Sequence, residues 1–189
     1  MALAYALLFV SPAQAHKLHA RGVAVTVAGS TVTVTPTRDW NRLSGSIGKA
    51  TERWTLDGGQ LNDVTFFGGI APGMPLVKER SKKRDPLPKF TKDTLLVEIP
   101  ELLEGTYRTY KDLAAFQTLS AEPVTFLGHD GVVFSYEFTD TDQLTRRGEA
   151  RATIIDGKLY MITFDAPRLS YFGKVAGDFR ALADSARLR

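Results

Sequence analysis

The sequence predicts an α+β fold, an α/β/α sandwich in which a mostly antiparallel sheet carries a middle helix and a C-terminal helix on its faces. Three observations predict it. Valines and aromatics alternate with polar residues in several runs bounded by glycine-containing turns, the period-two signature of half-buried strands. Two stretches, near 93–105 and 172–186, repeat their apolar residues at three- and four-residue steps instead, as amphipathic helices do. The strand runs follow one another, with one helical stretch in the middle and one at the end.

The chain opens on an apolar run, Ala2–Val10, followed by Ser11-Pro12 and then Ala13-Gln14-Ala15. The run is too short to cross a bilayer, which takes about 20 apolar residues. Its length and the small-x-small triplet fit a signal peptide, although no Lys or Arg precedes the run. Cleavage is therefore expected between Ala15 and His16, leaving a single periplasmic or secreted domain over 16–189 with no transmembrane segment. Val23, Val25 and Val27 alternate with small residues, and the pattern resumes at Val32 and Val34 after Gly29-Ser30, giving a first hairpin. In RWTLDGGQLNDVTFFGGI (53–70), apolar stretches flank Asp57-Gly58-Gly59 and predict a second.

Between Ala71 and Lys92, four prolines (Pro72, Pro75, Pro86, Pro88) and the run KERSKKRD indicate a long exposed loop. The middle helix follows. Leu95, Leu96, Ile99, Leu102 and Leu103 share a face, Asp93 would cap it and Gly105 would stop it, and Pro100 should kink or divide it. Residues 114–165 read as a meander that turns at Gly128–Gly131, with Val132, Phe134, Tyr136 and Phe138 inward, and turns again at Asp156-Gly157. After Asp165-Ala166-Pro167, a last helix carries Phe172, Val175, Phe179, Leu182 and Ala186 on one stripe.

In order, RDWNR, LNDVTFFGGI, VEIPEL, DGKLYMITF and YFGKVAGDFRALADSA resemble the PsbP-like superfamily. That group includes the extrinsic photosystem protein, a Ran-binding nuclear import factor and many bacterial envelope proteins. The resemblance spans most of 16–189. It implies an α/β/α sandwich with a binding or assembly role and no chemistry, and it carries over no functional residue.

The residues exclude several chemistries directly. With no cysteine, the chain has no disulfide, thiolate metal site, cysteine nucleophile or lipid-bearing cysteine. SGSIGKAT (44–51) lacks the first P-loop glycine and has Ala50 where the loop needs a hydroxyl, so it reads as a flexible surface loop. DTDQLTRRGE (140–149) has Thr145 and Arg151 where an EF-hand needs glycine and a bidentate acid. There is no Gly-x-Ser-x-Gly elbow. Glu101 and Glu104 have the spacing of an exposed helix face as much as that of an acid–base pair. After cleavage His16 would offer an amine and an imidazole to copper, with only His19 and His129 as possible partners. All three are expected to be solvated and no metal site or cofactor is assigned.

The basic segment is the strongest surface feature. From Lys78 to Asp93 the net charge is +4, against +3 for the whole chain. Lys78, Arg80, Lys82, Lys83 and Arg84 are the expected partner-binding residues, facing an acidic envelope protein or an anionic membrane surface. Nucleic acid is excluded by the expected export and by the absence of aromatics among the charges before Phe90. The expected function is thus a non-catalytic binding or accessory protein of the bacterial cell envelope. Its rival is a small-molecule carrier with a pocket between sheet and helix lined by Trp40, Trp54, Phe66 and Phe67. A copper-dependent enzyme using His16 is the remote third reading.

Overall fold

The computed structural model describes residues 17–189. The expected signal peptide, its expected cleavage point and His16 lie outside the described residues. Eight strands form one antiparallel sheet: β1 (Lys17–His19), β4 (Trp40–Arg42), β5 (Thr51–Thr55), β6 (Asp63–Ile70), β10 (Lys158–Pro167), β9 (Thr145–Ile155), β8 (His129–Thr139) and β7 (Ala115–Phe126), in that spatial order. A second, small sheet joins β2 (Val25–Thr26), β3 (Val32–Val34) and β11 (Arg187–Leu188), with β3 central. The first predicted hairpin is therefore real, but it stands apart from the main sheet and pairs with the chain's C-terminus.

The two helices cover opposite faces of the main sheet. Side chains alternate along β10, so Ile162, Phe164 and Ala166 point one way and Leu159 and Met161 the other. The first set packs with Val175, Ala176, Phe179, Leu182 and Ala183 of α2 (Gly173–Asp184). The second packs with Ile99, Leu102, Leu103 and Tyr107 of α1 (Ile99–Lys111). Two apolar cores separated by one sheet make the α/β/α sandwich expected from the sequence.

Three expectations need correction. Pro100 neither kinks nor divides α1, because the helix begins there: proline sits in the first turn, where its missing amide costs no hydrogen bond. The helix then runs through Gly105, which lies against Pro88 of the preceding loop, and ends at Asp112 in a left-handed conformation. The β7–β8 turn is Leu127-Gly128, not Gly128–Gly131. Leu127 adopts φ +53, which sequence rules would refuse, and burial of its side chain in the α2-side core offsets that cost. The 71–92 loop is not exposed throughout either. Leu76, Val77, Leu87 and Phe90 are buried in the α1-side core, and Phe90 N–H donates to Met74 O at 3.0 Å.

Candidate functional site

Anchoring both ends of the loop leaves its basic middle as a compact turn. Asp85 N–H donates to Ser81 O at 3.1 Å, and Arg84 N–H donates to Ser81 Oγ at 3.2 Å. Lys82, Lys83 and Arg84 thus occupy the tip, and all five predicted contact residues, Lys78 and Arg80 included, are exposed. Arg80 lies over the Tyr110 ring of α1, 5.2 Å from its centroid. That stack separates a hollow of about 240 Å³ from a larger cleft of about 340 Å³.

The larger cleft is floored by charge. Arg53, Asp63, Asp165 and Arg146 come from the adjacent strands β5, β6, β10 and β9 and line it together, with Lys111 from the last turn of α1 above them. Arg53 binds Asp63 through both Nε and Nη2. Arg146 Nε donates to Asp165 Oδ1 at 2.6 Å, and Lys111 Nζ donates to Asp165 Oδ2 at 3.2 Å. Lys111 also sits 4.2 Å from the Tyr107 ring centroid and 4.7 Å from that of Phe138, so aromatic faces share its charge. Gly148 gives the aromatic layer its depth, since a Cβ there would fall inside the Tyr136 ring. Tyr136 Oη in turn donates to Phe164 O at 3.2 Å.

Electrostatics hold each group in one protonation state. Burial opposes charge on Asp165, but Lys111 and Arg146 outweigh it and keep its pKa below the ordinary carboxylate value. Burial likewise opposes charge on Lys111, and Asp165 outweighs that, so its pKa is raised. Burial pushes the Tyr107 hydroxyl up and the Tyr136 hydroxyl well up. The cleft is therefore an arrangement of fixed charges.

The other predicted residues fall elsewhere. Trp40 and Trp54 are fully buried and pack with Phe66 in the α2-side core, whereas Phe67 points into the α1-side core. Adjacent residues on a strand face opposite ways, so these four do not face one space between sheet and helix. The hollow touching Phe66 and Phe67 holds about 10 Å³, scarcely room for a water molecule. His19 is not solvated. It is buried, stacks on Trp54 with centroids 4.4 Å apart and places Nε2 3.6 Å from Glu52 Oε1. His129, by contrast, is exposed at the start of β8. Among the described residues, no three His, Cys, Asp or Glu side chains lie together as metal ligands, and no helix is long and apolar enough to cross a membrane.

Arg53, Asp63, Lys111, Arg146 and Asp165 were not singled out by sequence reasoning. Their signal was a charge at an inward position of an apolar strand, as Asp165 is after Leu159, Met161 and Thr163, and it needed the sheet order to become a site.

No protein-family model matches the sequence, and no curated protein matches it. Among solved structures, the chain is similar to cyanobacterial PsbP (CyanoP) from Synechocystis sp. PCC 6803, with a TM-score of 0.59 and 12% identity over 95% of this chain and 96% of that one. It is less similar to the Saccharomyces cerevisiae Ran-binding protein Mog1p, with a TM-score of 0.49 and 8% identity over 92% and 96%. Its TM-score with LpqN, involved in cell envelope biogenesis of Mycobacterium tuberculosis, is 0.37, with 8% identity over 95% and 87%. The fold is PsbP-like, and at such identities the likeness is one of fold alone.

Proposed function

We propose that the chain is a non-catalytic binding protein of the bacterial cell envelope, exported on cleavage after Ala15, that holds an acidic protein partner on the face formed by the basic turn and the cleft beside it. One observation carries this reading: Arg80 belongs to the basic turn, stacks on Tyr110 and lines the charged cleft, so turn and cleft form one continuous surface. The fixed protonation of Asp165, Lys111 and Tyr107 supports binding over acid–base chemistry, which needs a group that titrates near the working pH. Asp140 and Asp142 at the margin of the same cleft make its charge mixed. A surface with both signs suits a protein whose charges alternate in register, whereas an anionic membrane is met by uniform positive charge. The export step rests on the Ala2–Val10 run and Ala13-Gln14-Ala15.

Association with washed envelope tests the proposal. The triple variant Lys82→Ala, Lys83→Ala, Arg84→Ala should bind at least about tenfold more weakly at low salt, since each lost charge pair contributes up to about 1 kcal/mol. Protease treatment of the envelope beforehand should abolish wild-type binding. Unchanged binding by the variant would overturn the contact face, and binding that survives protease would assign the surface to lipid.

A further inference from the structure

We propose that the hollow where β1, β4 and β5 meet the loop after β4 binds a phosphate group. It holds about 220 Å³ and is lined by Lys17, Arg42, Ser44, Ser46, Thr51 and Glu52, together with Arg53. Arg53 is paired with Asp63 and also lines the charged cleft, so it borders both sites and is given no part in this one.

The charges in this hollow lack balance. Pairing of β1 with β4 places Lys17 directly opposite Arg42, an arrangement of like charges that costs stability in a sheet. Glu52 is the one acid in the lining, and it is already engaged. Its Oε1 accepts Trp54 Nε1–H at 2.7 Å and lies 3.5 Å from Arg42 Nε, and its Oε2 accepts Ala28 N–H at 3.1 Å. His19 Nε2 stands 3.6 Å from the same Oε1, so this one buried carboxylate is shared between Arg42 and His19. Lys17 is exposed and makes no ion pair among the described residues. A bound dianion would sit against both Lys17 and Arg42 and remove their repulsion.

The opposite wall is a fixed polar loop. Gly45, at φ +82, turns the chain so that Ser44 and Ser46 both line the hollow. Ser46 Oγ accepts Gly48 N–H at 3.2 Å, and the Ser46 and Thr51 hydroxyls both donate to Gly48 O, which fixes the loop against β5. Two cations facing each other across β1 and β4 suit a dianion better than a carboxylate, which carries a single charge. The SGSIGKAT stretch thus contributes side chains to an anion site although its spacing is not that of a P-loop.

Titration of the labelled protein with inorganic phosphate, followed by NMR at constant ionic strength, tests the site. Saturable shifts are expected in the amides of residues 42–46, with acetate giving none. Lys17→Ala and Arg42→Gln should each weaken binding about tenfold or more, and Lys83→Ala should leave it unchanged. Lys17 is exposed, so its variant reports on the site even if Arg42→Gln perturbs folding. Phosphatidylcholine vesicles carrying phosphatidic acid form the second arm. If free phosphate fails but vesicles bind in a manner weakened by Lys17→Ala, the ligand is a lipid headgroup. No saturable phosphate shift and no vesicle binding sensitive to Lys17, or equal binding of acetate, would overturn the proposal.

Discussion

Asp165 is buried between two cations, and its value to the fold depends on both. Replacing it with Asn leaves Lys111 and Arg146 facing each other without a counter-charge, and removal of one member of a buried ion pair typically costs about 3–5 kcal/mol. Asp165→Asn should therefore lower the urea midpoint sharply, and adding Lys111→Met should restore part of the loss. A double variant no more stable than the single one would show that the two do not act as a pair. His19 makes a second residue-level prediction. Burial lowers its pKa below the ordinary 6.5, although Glu52 pulls the other way. The unfolded chain then takes up this proton first as pH falls, so acid favours unfolding. The contribution is complete above about pH 6.5 and is lost progressively below it, down through the lowered folded-state value. Urea midpoints measured at pH 7.5 and pH 5.5 should fall further for the wild type than for His19→Gln, and equal declines would contradict the assignment.

At the scale of elements, turn chemistry decided what the sequence revealed. Asp156 and Gly157 both have positive φ, the conformation their dipeptide favours in a tight hairpin, so β9 and β10 were legible. Leu127 was not, because local preference disfavours the conformation that burial imposes. Pro100 misled for a related reason. Its rule holds for helix interiors, and only tertiary packing reveals where a helix begins. The open edge of the sheet shows another proline at work. Leu127-Gly128 is a two-residue turn, which makes Phe126 and His129 a hydrogen-bonded pair, so Pro123 falls where the strand's amide would face outward. The bulge between Thr118 and Ser120 interrupts the same edge further on. Both blunt a long strand that carries the exposed Leu119 and runs beside the exposed Val97. Pro123→Thr restores an outward N–H and should increase self-association in sedimentation velocity relative to the wild type at equal concentration. Identical sedimentation would assign edge protection elsewhere.

Across the whole molecule, the two sides of the sandwich differ in what they leave open. The α2 side is closed by Trp40, Trp54, Phe164 and Phe179 and by surface pairs such as Arg180 with Glu149. The α1 side has an apolar core at one end and gives way to the charged cleft at the other, beside the basic turn. The basic turn was legible because its charge is concentrated in one stretch of sequence. The cleft was not, because the charges along its floor, from Arg53 to Asp165, meet only once the strand order is known. We propose that turn and cleft together form the face that meets a partner. The most direct test is photocrosslinking in cells, with the reactive residue replacing either Lys83 on that face or Lys174 on α2. A protein adduct should form from position 83, diminish when Lys82 and Arg84 are changed to Ala, and be absent from position 174. Adducts from position 174 alone, or an adduct from position 83 indifferent to those changes, would contradict it.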